Sequence, residues 1–389
     1  QRQMCIRDSS YGLVWADRRP QPELWQLKKS AQPVHVAAVD PQNGVFDVHN
    51  RFYFSNLETL QATWELASET GPVTEGTLDL DVEAGESTGV RLPIDEFQPV
   101  PGAQYWITFR FLLRDPALWA DRGHEVAWDQ FLLPTAAAPP NPVTEPEAEV
   151  RVTEESDRWI LRSPENVWLV DRASGHLTSW TYRELELLKR GPQVNLWRAP
   201  TANEIDEWRN PPIAYRWYEI GLDQLQSTIL DTGLERIGPS TVRLKVEERL
   251  AARGSEIGFR VRTKLEFRGS GAVLLDREVL PEGSFPEWLP GIEMWLPRIG
   301  NQFEMSKDFQ HVSWFGRGPF ETYPDRKTGA RFGVYHSRTE DEYVPYLIPQ
   351  EHGNRTDVRW VSLTNDQGVG LWMTGTDLQF SVHEVDQDN

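Results

Sequence analysis

Ile257 to Phe267 reads IGFRVRTKLEF. Ile257, Phe259, Val261, Leu265 and Phe267 fall on one side of a period-two alternation, against Arg260, Arg262, Lys264 and Glu266 on the other. A pleated strand sorts residues this way, so the stretch predicts a strand with one buried face and one wet face. Val242 to Leu250 repeats the pattern with Val242, Leu244 and Val246. Tyr105 to Leu113 (YWITFRFLL) repeats it earlier in the chain, with Tyr105, Ile107, Phe109, Phe111 and Leu113 on one face. Val34–Val39, Val48–Ser55 and Ala62–Ala67 are shorter β-branched and aromatic runs between Asn, Gly and Pro turns. Leu378–Asp386 (LQFSVHEVD) reads as a last strand. There is no βαβ rhythm and no internal repeat, so the class is all-β. Two helical exceptions stand out. Pro20–Lys29 suits a short helix, and Glu207–Leu225 spaces Trp208, Tyr215, Tyr218 and Leu222 for one, broken by Pro211-Pro212 before Ile213.

Between the strand-rich regions lies Pro134–Glu149 (PTAAAPPNPVTEPEAE), whose five prolines predict an extended spacer. The spacer proper is placed at 135–149. About 100 residues of short strands precede it, at the turn spacing of an immunoglobulin-like sandwich, placed at 33–134. Some 240 residues come after it, which implies a large two-sheet sandwich at 150–389. Gln1–Ser9 (QRQMCIRDS) has neither an initiating Met nor the apolar core of a signal peptide, and differs in character from the rest of the chain. It is expected to be a non-native leader.

Composition narrows the function. With 40 Lys and Arg against 59 Asp and Glu, the net charge of -19 repels phosphate backbones and disfavours nucleic acid. No apolar run of about 18 residues exists, so no membrane-spanning helix is expected. Cys5 is the one cysteine, which excludes an internal disulfide framework. Seventeen Trp, 16 Phe and 10 Tyr are a heavy aromatic load. Aromatic faces stack on sugar rings, and they also fill β-sandwich cores; composition leaves both readings open.

Familiar catalytic motifs do not survive inspection. His124-Glu125 and His383-Glu384 lack a second His one turn on, so no zinc motif forms and no metal site is expected. Gly85-Glu86-Ser87-Thr88-Gly89 matches G-x-S-x-G, but its flanks look strand-like on both sides and predict a β-turn. Gly316-Arg317-Gly318 lacks the third glycine of a dinucleotide loop. Asn354-Arg355-Thr356 is a formal glycosylation acceptor. Two stretches concentrate polar groups between aromatic anchors: Trp314–Arg331 (WFGRGPFETYPDRKTGAR) and Pro345–Trp360 (PYLIPQEHGNRTDVRW). Such loops either line a site or plug a sandwich edge, in the second case with Asp325 and Arg326 in buried ion pairs.

GRGPFETYPDRKTGA and PQEHGNRTDVRW resemble the C-terminal domain of the large bacterial β-galactosidases of glycoside hydrolase family 2. LWRAP (Leu196–Pro200) followed by TANEID is similar to that family's R-A-P-T-D-N-D stretch. GHEVAWDQF (Gly123–Phe131) resembles the end of the preceding sandwich, and GLVWADRRP (Gly12–Pro20) the segment that leaves the catalytic barrel. The resemblance covers residues 12–389 and implies an immunoglobulin-like sandwich followed by a large galactose-mutarotase-like super-sandwich. Residues 10–32 are then the exit from a barrel this chain lacks, and the super-sandwich is truncated.

The same resemblance implies a function. The parent is expected to be a retaining hydrolase of terminal β-galactosides such as lactose, with both catalytic glutamates in the missing barrel. These residues supply non-catalytic carbohydrate-binding or structural domains, and no catalytic residue is expected among them. A loop after R-A-P reaches the active-site mouth in the family, which marks Arg198, Asn203, Glu204 and Asp206 as substrate-proximal. Ala202 stands where the family has Asp, and Asp206 where it has Gly. Mg and Na ions are expected in the whole enzyme and none in this part. A homo-oligomer in the bacterial cytoplasm, without nucleic-acid or membrane partners, completes the expectation. The alternatives are a stand-alone carbohydrate-binding or small-subunit protein, and another family 2 specificity such as β-glucuronidase or β-mannosidase.

Overall fold

Residues 12–94, 97–134, 147–205 and 211–385 are described by the structure, a computed structural model. Helix α1 (Pro22–Ala31) precedes seven strands: β1 (Val34–Asp40), β2 (Val45–Asn50), β3 (Leu60–Ser68), β4 (Gly71–Leu78), β5 (Ser87–Arg91), β6 (Tyr105–Leu113) and β7 (Glu125–Leu133). They form two antiparallel sheets, β1-β2-β5 and β4-β3-β6-β7. This is an immunoglobulin-like sandwich of three strands against four. The register sets Trp64 opposite Phe109 and Leu66 opposite Ile107, so the alternation seen in the sequence becomes paired apolar contacts. Gly76 has a steric task here, because a Cβ on it would lie 2.7 Å from Trp64 Nε1.

The second region begins with β8 (Arg151–Glu154), β9 (Arg158–Arg162), β10 (Asn166–Asp171), β11 (Leu177–Tyr182), β12 (Leu185–Leu188) and β13 (Arg190–Asn195). Two short helices come next, α2 (Ala202–Ile205) and α3 (Ile213–Glu219). The long strands β14 (Gln226–Gly238), β15 (Thr241–Ala251), β16 (Gly258–Arg268) and β17 (Val273–Glu282) succeed them. After the short β18 (Glu287–Leu289), β19 (Ile292–Glu293) and β20 (Gly300–Glu304) come β21 (His311–Gly318), β22 (Arg331–Arg338), β23 (Arg355–Thr364) and β24 (Gly370–Phe380). The main sheets run β12-β11-β10-β9-β8, β14-β15-β16-β17 and β22-β21-β23-β24. Trp168, Leu244, Phe267, Val312, Trp314 and Val358 share one core between them. Burying each such side chain stabilises the fold by roughly 1.5–3 kcal/mol.

Several expectations change in detail. The second strand stops at Asn50 rather than Ser55. Asn50 turns the chain there: its Oδ1 accepts from Phe52 N and its Nδ2 donates to the carbonyls of Ser55 and Val82. The last strand stops at Phe380, which pairs with Arg355, the first residue of β23; beyond it no partner strand continues among the described residues. Residue 386 lies outside the described residues. In α3 the buried face is Ile213, Ala214 and Trp217, while Tyr215 and Tyr218 are exposed. Trp208 lies outside the described residues. At Gly85, φ is +82° and β5 starts at Ser87, while Asp79–Glu83 is not strand. Trp64, Trp159, Trp168, Trp217 and Trp314 are buried, so much of the aromatic load is core.

Most of the spacer, 135–146, lies outside the described residues, yet the flanking regions touch directly. Phe332 stacks on Trp106 with ring centres 4.2 Å apart. Gln130 clamps the backbone of Phe332, donating to its carbonyl at 2.9 Å and accepting from its N–H at 2.7 Å. No helix among the described residues is long and apolar enough to cross a membrane.

Candidate functional site

The turn after Arg198 is built locally. Glu204 of α2 reaches back to the start of its turn, its carboxylate accepting from Thr201 N at 2.7 Å. The same carboxylate takes both ends of the Arg198 guanidinium, each at 2.7 Å. Arg198 also donates to the Pro297 carbonyl and lies over the Trp217 ring. Burial opposes the charge on Glu204, but the Arg198 and Thr201 hydrogen bonds win and hold its carboxyl below the usual range. Ala202 N donates to Gln350 Oε1 at 2.7 Å, which ties the turn to the Pro345–Trp360 stretch.

That stretch and Trp314–Arg331 are zipped together. Thr322 N donates to the Asn354 carbonyl at 2.7 Å, and Asn354 Nδ2 returns the bond to the Thr322 carbonyl at 2.8 Å. Glu321 is the hub, with a side chain only 1% exposed. Its Oε1 accepts from Tyr346 Oη at 2.5 Å and from Arg326 at 2.6 Å, and its Oε2 from Gly353 N at 2.7 Å. Arg326 reaches on to Glu23 of α1 at 3.0 Å. Gln26 adds a second link, donating to Thr328 and accepting from Gly329 N. Gly329 is required by this approach, because a Cβ there would sit 2.7 Å from Gln26 Cα.

Glu351 completes the crevice. Its side chain is 0% exposed and accepts from Arg298 at 2.5 Å. Burial raises its pKa, against the pull of Arg298 and Arg198. Arg355 pairs with Glu342 at 2.6 Å, again with both side chains nearly inaccessible. Burial lowers the Arg355 pKa, and burial with nearby carboxylates drives the Tyr346 and Tyr323 hydroxyls well up.

Of the residues singled out from sequence, the structure joins Arg198 to Glu204 and leaves Asn203 exposed on the turn. Asp206 lies outside the described residues. The edge-plug reading placed Asp325 and Arg326 in buried pairs; Arg326 is in one, with Glu321, whereas Asp325 is exposed. Glu23, Arg298 and Glu342 carried no motif. The two dense polar stretches did mark Glu321, Tyr346, Glu351 and Arg355 as a group. Chemically, the crevice is a frame of carboxylates held by guanidinium groups. Among the described residues, no three His, Cys, Asp or Glu side chains gather as a metal's donor set.

Residues 162–389 match the family model of the β-galactosidase small chain, and residues 46–134 match that of β-galactosidase domain 4. The chain is 30% identical over 367 residues to a β-galactosidase of Priestia megaterium, covering 94% of this chain and 34% of that protein. It is 29% identical over 384 residues to one from Aeromonas hydrophila, covering 95% and 35%. A Klebsiella pneumoniae β-galactosidase is 27% identical over 387 residues, covering 98% and 35%. The chain thus spans about a third of the length of these relatives.

Proposed function

Since the chain belongs to the β-galactosidase small-chain family, we propose that it forms the C-terminal third of a β-galactosidase and braces a catalytic barrel carried by the rest. The observation behind this reading is the continuity of the crevice. It runs from Glu23 through Arg326 to Glu321, from there to Gly353 N, and along Gln350–Gly353 to Ala202 of the turn that Arg198 and Glu204 hold. Helix α1, upstream of both sandwiches, and the 201–205 turn, inside the second, are thereby held in one frame. A retaining glycosidase needs one carboxylate as nucleophile and another as acid/base, about 5 Å apart. Glu204, Glu321 and Glu351 each already accept from an arginine, which suits them to holding a loop rather than attacking a sugar. The proposal therefore puts the galactoside and both catalytic carboxylates in the part this chain does not span, with the turn at the rim.

Among the described residues no group of side-chain carboxylates gathers that fits a Mg or Na ion, and this proposal places those ions with the barrel. A homo-oligomer in the bacterial cytoplasm belongs to the same reading. The test joins this chain to the unmatched two-thirds of the Priestia megaterium enzyme. The chain alone should not hydrolyse o-nitrophenyl β-galactoside above background, and the joined protein should. Hydrolysis by the chain alone, or a joined protein that prefers a β-glucuronide or β-mannoside, overturns the proposal. Protection of tryptophan from a quencher by galactose, in the isolated chain, would favour a separate sugar-binding protein instead.

A further inference from the structure

The outer face of the first sandwich carries a row of polar side chains across three strands. His35 of β1 stands directly opposite His49 of β2, and His49 opposite Ser87 of β5. Side chains opposed in an antiparallel ladder have Cβ atoms roughly 4.5–5.5 Å apart. The two imidazoles lie side by side, with ring centres 6.1 Å apart and planes 25° from parallel. Both line an open cavity of about 390 Å³, together with Arg51, Glu86 and Ser87. Ser87 is the serine of the Gly85–Gly89 stretch, and here it serves a ring nitrogen: His49 Nδ1 and Ser87 Oγ share a hydrogen bond at 2.6 Å. His35 Nδ1 faces Asp129 Oδ2 at 3.5 Å.

Asp129 is itself firmly held. Its Oδ2 accepts from Val36 N at 2.7 Å and from Gln32 Nε2 at 3.2 Å, and its Oδ1 accepts from Lys29 of α1. A fixed carboxylate thus orients one ring and a serine hydroxyl the other, each through Nδ1. With Nδ1–H donated, Nε2 keeps its lone pair, and an imidazole binds a metal in that state. The arrangement is not that of an activated serine. Asp129 backs His35 while Ser87 touches His49, so no Ser-His-Asp chain forms. Arg51 and Glu86 bring one charge of each sign to the rim, which leaves the paired rings as its distinctive chemistry.

We infer that His35 and His49 form a two-histidine chelate for a divalent transition cation such as zinc or copper, with Nε2 of each ring as ligand. Imidazole suits these ions, and tetrahedral Zn–N bonds set two ligand nitrogens roughly 3.3 Å apart. The rings reach that spacing by turning about χ2, a soft torsion in histidine. His35, with its side chain 52% exposed, makes most of the turn. No third His, Cys, Asp or Glu joins them among the described residues, so water takes the remaining positions. The pair meets across a strand ladder, which is why a search for helical motif spacing suggests no metal site. The inference does not depend on the β-galactosidase reading.

Calorimetry of the untagged 389-residue chain with zinc chloride tests it. One zinc ion per chain should bind, and His35→Gln or His49→Gln should each weaken binding at least tenfold. Ser87→Ala, which removes the partner of one ligand, should weaken it roughly tenfold. His311→Gln, on β21 and paired with Asp366, should change nothing. Copper in place of zinc should give an electron paramagnetic resonance spectrum split by two ring nitrogens, reduced to one in either glutamine variant of the pair. Circular dichroism checks that every variant folds. No uptake by the parent chain, unchanged affinity in His35→Gln or His49→Gln, or loss on His311→Gln instead, overturns the inference. So does zinc uptake that fails to saturate at one per chain, which marks scattered surface binding only. Galactoside hydrolysis plays no part in the readout, so failure here leaves the proposed function standing.

Discussion

The outer face of β14–β17 and the crevice around Glu321 are built from the same residue types, arginine with glutamate, in opposite surroundings. On the sheet, Arg262 sits across from Glu278 and Glu247, and Lys264 across from Asp276, with Arg262 and Lys264 more than 50% exposed. In the crevice, the Glu321, Glu342 and Glu351 side chains are at most 2% exposed. Water screens the first set and cannot reach the second. A solvated pair gains little over its separated ions, whereas a buried pair that loses one member strands a charge in a low-dielectric interior. Equal numbers of ion pairs therefore carry very different consequences, and the difference is measurable.

The largest effect is expected at Arg355. Arg355→Met leaves Glu342 buried and uncompensated and removes the bonds to the Gly353 and Asn354 carbonyls. Urea unfolding should show a loss of about 3–5 kcal/mol. The double variant Arg355→Met/Glu342→Leu should regain a large part of it, because the stranded charge is gone. If the single and double variants are equally unstable, packing over Trp314 rather than charge burial is what Arg355 supplies.

Next comes the half-buried histidine pair at the crevice edge, where the rings of His352 and His383 meet edge to face with centres 4.7 Å apart. Burial, with His352 and Arg298 nearby, lowers the pKa of His383 from 6.5 to about 4. The unfolded chain takes up this proton first, so stability should fall as pH drops from about 6.5 to about 4 and level off below. The full difference is about 3 kcal/mol. Unfolding curves at several pH values should show a shallower decline for His383→Gln.

Glu204→Gln should cost less, about 2 kcal/mol, as the charge-assisted bonds from Arg198 and Thr201 N weaken. Its sharper signature is local. Exchange at the Thr201 and Ala202 amides should accelerate, while the β15 and β16 amides stay protected. Uniform acceleration across the second region would mean the turn is part of the global core instead of a docked element.

The contrast also explains what could be read from sequence. Strands such as Gly258–Arg268 announce themselves because alternation is local and each residue's face is set by its neighbours. Arg198 and Glu204 are marked in the sequence by the family resemblance of LWRAP and TANEID alone, and only the structure shows that they pair. The crevice is not legible in the sequence, because Glu23, Arg298, Glu321 and Glu351 meet only after the fold brings distant segments together. Arg298 comes after a Leu-Pro with no pattern around it, and only the structure shows that it neutralises Glu351. The buried face of α3 departs from the sequence pattern because tyrosines at helical spacing look apolar, yet their hydroxyl ends keep them at the surface.

The smallest expected effect is the most exacting test of the comparison. Arg262→Ala removes pairs to both Glu247 and Glu278 on the exposed face. If solvent screening governs that face, its melting curve should overlay the parent's within replicate scatter, at low and at high salt. Glu247 would still hold Arg260, which also bonds Glu282. A clear loss of stability that vanishes in high salt would instead show that the pairs act as a network, since screening weakens exposed charges and spares buried ones. The exposed ladder would then share in stability by linkage along the strands. The crevice variants, measured in the same salt series, should barely respond, because ions cannot enter where Glu351 lies.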